Sequence, residues 1–172
     1  MIIPNVKWNR NDEWYTPEYA IEPILKYLKP NSTIWCPFDT EESLYVKRLR
    51  QEGHKVIHTH IANNQDFFEL DIDCDYIISN PPYSKKTEVL DRLYQLKKPF
   101  AMLLGIVGIF ERRSRFDMFK NNKFEIMYFN KRIKFYRDYK ETKPNAAPPF
   151  STAYVCHNIL PAPMMFEEIC LC

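Results

Sequence analysis

In Asp75-Tyr76-Ile77-Ile78-Ser79-Asn80-Pro81-Pro82-Tyr83 a short aromatic and β-branched run breaks into an amide, two prolines and a ring. The run reads as a buried strand. Two consecutive prolines cannot sit inside a central strand, so the chain leaves the sheet at Pro81. Asn80 then stands at a strand's carboxyl end, where open α/β sheets bind ligands. An Asn carbonyl oxygen accepts a hydrogen bond from a flat amino group. The rigid prolines hold a backbone carbonyl close by as a second acceptor. Tyr83 offers a face on which the ring carrying that amine can stack. Taken alone, the same four residues also fit a strand ending in a Pro-Pro turn with a surface tyrosine. The rest of the chain separates the two.

Outward from this point, strands alternate with helices. Thr16 is placed to cap a helix that Pro17 and Glu18 begin. Ala20, Ile21, Ile24, Leu25 and Leu28 form its apolar stripe, with Pro23 inside it. Thr33-Ile34-Trp35-Cys36 reads as the first strand and Pro37-Phe38 as a turn. Asp39 with Glu42 has the spacing of a capping box for a second helix, which Gly53 ends. Strands are predicted over Val56–Ile61, Phe100–Val107 and Phe124–Phe129, and helices over Thr87–Leu96 and Arg115–Lys120. Arg132–Tyr136 and Ser151–Cys156 read as a closing antiparallel hairpin around a polar, Pro-rich loop, 138–149, expected to be mobile. The expected fold is α/β: a Rossmann-like, doubly wound, mostly parallel sheet with a C-terminal antiparallel hairpin. It forms a single domain, preceded by a polar arm over residues 1–12.

Of 172 residues, 45% are hydrophobic, with 12 Phe and 11 Tyr, which supplies one globular core and excludes disorder. No apolar run reaches membrane-spanning length, and the first residues lack the apolar core of a signal peptide, so a cytoplasmic protein with no membrane partner is expected. Cys36, Cys74, Cys156, Cys170 and Cys172 are scattered and form no CxxC pair, as free thiols of a reducing compartment would be. His58 and His60 alternate on a predicted strand, but no third ligand accompanies them and no metal site is expected. The net charge of +2 is unevenly spread. Residues 111–140 carry ten Lys or Arg against four acids, a surplus of six cations, and the remainder is about four negative. That basic half suits a polyanion, or it is an ordinary solvated face.

Four stretches in order carry a family resemblance: Trp14-Tyr15-Thr16-Pro17, Trp35-Cys36-Pro37-Phe38-Asp39, Asp66-Phe67-Phe68 and Asn80-Pro81-Pro82-Tyr83. Pro99-Phe100-Ala101-Met102-Leu103 and Pro149-Phe150-Ser151 fit the same pattern. From Trp14 to about Ile159 the chain resembles the S-adenosylmethionine-dependent N6-adenine methyltransferases, in particular their small phage and prophage members. The resemblance implies a class I methyltransferase fold, S-adenosylmethionine as cofactor, and adenine-containing DNA, or less readily RNA, as partner. It implies catalytic roles for Asn80, Pro81, Pro82 and Tyr83. Tyr15, Thr16, Pro17, Pro37, Phe38, Asp39, His60, Asp66, Phe67 and Asn80 would bind the cofactor. Ser84, Lys85, Lys86, Arg132 and Lys134 would hold nucleic-acid phosphates without reading sequence. Oligomeric state is not legible.

Two departures stand out. Thr40-Glu41-Glu42-Ser43 occupies the place of the family's cofactor-loop glycines, and the chain has 3 Gly in all. The second strand ends near His58, His60 and Asn63 rather than an acid for ribose hydroxyls. Several residues also have plainer readings. Phe67 and Phe68 serve equally as core, and Asp66 as a turn cap. Two other functions stay open: methyl transfer to a protein glutamine amide, and a non-catalytic relative that binds nucleic acid or a host protein.

Overall fold

The computed structural model describes residues 13–170. The arm expected over 1–12 and Cys172 lie outside the described residues. Seven strands form one sheet in the order β2-β1-β3-β4-β6-β5-β7. They are β1 Thr33–Cys36, β2 Lys55–His58, β3 Tyr76–Ser79, β4 Phe100–Gly105, β5 Glu125–Phe129, β6 Thr152–His157 and β7 Met164–Glu167. Only β6 among them runs against the rest, antiparallel to both β4 and β5. The helices are α1 Glu18–Leu25, α2 Leu44–Gln51, α3 Lys86–Leu96 and α4 Arg113–Asn121. Crossovers through α2, α3 and α4 return the chain to the same sheet edge, which gives the doubly wound, Rossmann-like arrangement.

The alternation of strand side chains divides the interior in two. Ile34, Cys36, Ile78, Ala101 and Leu103 face α1 and α2, meeting Ile21, Ile24, Val46 and Leu49. Trp35, Ile77, Phe100, Met102 and Leu104 face α3, meeting Val89, Leu90 and Leu93. Burial on both faces explains why β3 and β4 read as continuous apolar runs. One polar contact lies inside. The Tyr154 hydroxyl donates to the Ala20 carbonyl (3.1 Å) and sits 2.7 Å from the Tyr45 hydroxyl, whose proton it therefore accepts. Tyr154→Phe strands that buried Tyr45 donor, and chemical denaturation is expected to show a loss of about 1–3 kcal/mol.

Four sequence expectations are corrected. Thr16 does not cap α1; Pro17 (φ −76°) precedes the helix, and the Thr16 hydroxyl is used elsewhere. Asp39 does not cap α2, which starts five residues later behind Ser43, because its carboxyl is drawn into the interior. His60 is beyond β2 and opens a single helical turn over Ile61–Asn63. Arg132–Tyr136 is not a strand, so the expected hairpin does not form there. The segment buries Ile133 and Phe135 and makes only isolated bridges, Tyr136 with Tyr15 and Phe135 with Ala146. The antiparallel strand near the C-terminus is present as β6, but apolar residues on both its faces place it centrally, between β4 and β5.

Candidate active site

The carboxyl ends of β1, β2 and β3 are tied together by polar groups. The Asp39 backbone N–H donates to the Thr59 carbonyl (3.1 Å), and the Thr59 N–H to the Cys36 carbonyl (3.1 Å). The Trp35 indole N–H donates to the Thr59 hydroxyl (2.9 Å). Ser79, the last residue of β3, donates its hydroxyl to the Asp39 carboxylate. Asp39 is 6% exposed. Burial pushes its carboxyl up to about 6, against the opposing pull of the Ser79 and Ser43 hydroxyls and the two nearby histidines.

Asn80 follows directly. Its Nδ2 donates to the Trp14 carbonyl (2.6 Å) and to the Thr16 hydroxyl (3.1 Å). A carbonyl only accepts, so this contact fixes which way round the amide lies. Oδ1 is thereby left buried and, among the described residues, without a partner. Two rigid elements hold the amide: a strand buried on both faces before it and Pro81-Pro82 after it.

Around this amide lies a cleft of about 240 Å³ walled by Glu13, Trp14, Tyr15, Thr16, Phe38, Asp39, Thr40, Ser43, His60, Ile61, Ala62, Asn80, Pro82 and Tyr139. The His60 Nδ1 accepts from the Ala62 N–H (3.1 Å), so the neutral ring carries its proton on Nε2, which faces Glu13 Oε1 at 3.2 Å. Glu13 Oε2 accepts from the Tyr15 hydroxyl (3.0 Å). The rings of Tyr15 and Tyr139 pack at 4.7 Å, and the Tyr139 hydroxyl accepts from the Leu44 N–H at the start of α2 (3.3 Å). Burial raises the Tyr139 hydroxyl well above the ordinary tyrosine range.

Of the residues singled out in the sequence, Tyr15, Thr16, Phe38, Asp39, His60, Asn80 and Pro82 meet in this cleft. Pro17, Pro37 and Pro81 are buried outside its wall. Phe67 lies behind Phe38 (5.0 Å) and against Trp35 (5.5 Å) as part of the core. Asp66 accepts from the Phe68 N–H (3.0 Å) in a local turn. Tyr83 is 6% exposed and lies edge-on to Phe150 at 5.5 Å. Phe150 in turn crosses Gly105 so closely that a Cβ there would meet its ring at 2.6 Å. Ser84, Arg132 and Lys134 are exposed, and Lys85 is within 4.0 Å of Glu88. The Lys86 ammonium is engaged by two backbone carbonyls, Gly105 (3.0 Å) and Val107 (2.8 Å).

Sequence reasoning missed Glu13, Ser43 and Tyr139. Glu13 supplies a carboxylate beside His60, where the second strand itself ends without an acid. Its only local signal is its place two residues before Tyr15. Tyr139 arrives from the far end of the chain, which no short-range pattern announces.

A mostly parallel sheet with polar groups gathered at its carboxyl edge defines a Rossmann-like α/β protein. The same fold occurs in a modification subunit of a putative type I restriction enzyme from Vibrio vulnificus YJ016, with a TM-score of 0.53 and 11% identity over 93% of this chain. This chain spans 48% of the length of that subunit. No family model matches the sequence, and no curated protein does. Among the described residues no helix is long and apolar enough to cross a membrane.

Proposed function

We propose that the protein transfers a methyl group from S-adenosylmethionine to the N6 amino group of adenine in DNA. The observation that carries this is the Asn80 carbonyl oxygen, buried and unpartnered among the described residues, on a residue of the cleft wall. Such an orphan acceptor costs about 1–3 kcal/mol, which is recovered when a substrate amine donates to it. A fold shared with a restriction enzyme's modification subunit supports the same reading.

The residues present fit the cofactor. Asp39 offers a buried carboxylate to its ammonium, Glu13 and His60 polar groups to its hydroxyls, and Phe38 an apolar wall to its flat ring. Bound there, S-adenosylmethionine supplies an electrophilic methyl on a sulfonium that departs as a neutral thioether. The cleft is smaller than the about 300 Å³ at the lower end of small-molecule sites, so the packed rings of Tyr15 and Tyr139 must part on binding. Asn80 and the Pro81 carbonyl accept hydrogen bonds from the two N–H groups of the amine, localise its lone pair and aim it at the methyl, a positioning effect, and the proton released as the N–C bond forms passes to solvent. The Trp14–Thr16 segment shifts to let the amine reach Asn80. Tyr83 becomes a stacking face when Phe150 swings aside. A base within a duplex has first to be flipped out, while Ser84, Lys85, Arg132 and Lys134 hold phosphates.

A second reading, a relative that binds nucleic acid without catalysis, is favoured by the small cleft and the glycine-free loop after β1. Calorimetric titration with S-adenosylmethionine separates the two. Saturable one-to-one binding is expected. No heat at millimolar cofactor, with DNA still bound, selects the non-catalytic reading.

A further inference from the structure

The loop between β4 and α4 combines three properties that its role as a connection does not require. It is advanced, rigid and apolar at its tip. In register, Ser79 of β3 lies opposite Met102, and β4 continues to Gly105. The strand therefore runs about 7 Å beyond the level of Asn80 before the loop begins, on the sheet edge that carries the cleft. Two cations hold the loop down. Lys86, from the start of α3, donates to the carbonyls of Gly105 and Val107. Arg115, only 4% exposed, donates to the carbonyls of Gly108 and Ile109 and to the Thr87 hydroxyl. Burying a guanidinium is costly without such bonds, so the conformation is firmly specified. Yet Val107 and Phe110 are each left 61% exposed. Phe110 is braced on its inner side by Phe119 and Phe124, with ring centroids 6.1 and 5.8 Å away.

The surroundings of this tip are cationic. The Arg112 guanidinium has no hydrogen bond or ion pair among the described residues. Arg113, paired with Asp117 (3.1 Å), lies over the exposed ring of Phe116 at 5.5 Å. Lys85, one residue before the Lys86 anchor, lies 4.0 Å from Glu88. Glu111 is the one acid within the loop. A rigid apolar point flanked by arginines matches duplex DNA, whose base steps accept apolar wedges while its phosphates accept cations.

We propose that Val107 and Phe110 form a wedge that enters the base stack beside the target position and fills the gap left by an extruded base, with Arg112 and Arg113 on the flanking phosphates. This rests on the methyl-transfer reading for its target, but binding alone tests it. A fluorescein-labelled duplex with one abasic position is compared with the intact duplex by anisotropy. Wild-type protein binds the abasic duplex more tightly, because the gap is already open. Phe110→Ser loses about tenfold on the abasic duplex, the scale of one stacked ring, and Val107→Ser, which removes no ring, loses less. Both leave S-adenosylmethionine affinity unchanged, and Phe110→Ser, which gives up its contacts with Phe119 and Phe124, lowers thermal stability by only a few degrees. Arg112→Ala weakens both duplexes alike and lowers the salt slope by about one.

Equal affinity of wild type for the two duplexes, with methyl transfer intact, overturns the wedge and leaves the methyl-transfer reading standing. Abasic preference lost in Phe110→Ser, with no methyl transfer by wild type, supports the wedge and removes that reading instead. A solution dimer dissolved by Phe110→Ser, with DNA affinity unchanged, also overturns the wedge and assigns the patch to self-association.

Discussion

Asn80→Ala is expected to lower methyl transfer to DNA by about 10²–10³-fold, the loss seen when one preorganised hydrogen bond is removed from a closed site. The substitution removes the one side-chain carbonyl of the Asn-Pro-Pro-Tyr motif, the acceptor that stands in the cleft wall. Its structural effect is small by comparison. Deleting the amide also deletes the unpartnered Oδ1, so that burial penalty disappears while the bonds to Trp14 and Thr16 are lost. Stability is therefore expected to change by no more than about 1–2 kcal/mol. Affinity for S-adenosylmethionine is expected to fall only a few-fold, because Asp39, Glu13 and Phe38 remain. Rate constants from labelled cofactor, with calorimetry on the same variant, check both halves. A parallel collapse of cofactor binding would instead place Asn80 in the cofactor site rather than at the amine.

Asp39→Asn is expected to make the protein more stable and, under the proposed function, less able to bind S-adenosylmethionine. The carboxyl titrates near 6 in the folded state against 3.8 as a free side chain, chiefly because it is buried. Between these values the folded state binds the extra proton, so stability rises as pH falls and is lost as pH climbs through about 6. At pH 7 the ionised form costs on the order of 3 kcal/mol. Asparagine keeps an acceptor for the Ser79 hydroxyl and carries no charge, which removes that cost and flattens the pH dependence between about 4 and 6. Under the proposed function, the buried Asp39 carboxylate meets the ammonium of S-adenosylmethionine. Urea denaturation at pH 4 and pH 7 tests the first claim. Cofactor titration across the same range tests the second: affinity falls as Asp39 protonates below about 6. A variant no more stable than wild type at pH 7 would contradict the assignment.

The central sheet was legible because its strands are buried on both faces. Thr33–Cys36 and Tyr76–Ser79 appear where their apolar runs lie, and Glu125–Phe129 within one residue of expectation. The edge was not. β7 is a half-exposed stretch of four residues behind Pro161-Ala162-Pro163, too short and too exposed to read as a strand by itself, held by pairing to β5 and by Glu167, which accepts from Lys26 (2.7 Å) and Tyr27 (2.5 Å). Arg132–Tyr136 misled because its alternation of apolar and charged residues mimics a strand, whereas Ile133 and Phe135 are pegs that hold an irregular segment against α1's side of the sheet. At the site, Asn80 stood out by its local chemistry, whereas Thr16 and Asp39 read locally as helix caps and joined the site only through the family resemblance. Short polar residues serve caps and interior hydrogen bonds alike, and only the tertiary partner distinguishes the two. Glu13 and Tyr139 depend on segments more than a hundred residues apart closing over one cleft.

The most direct measurement is nucleoside mass spectrometry of unmethylated DNA incubated with the purified protein and S-adenosylmethionine. N6-methyladenine that appears with wild type and is absent with Asn80→Ala is the predicted result. DNA left unmodified at adenine while the cofactor is bound, or label found on cytosine or on protein, would contradict it.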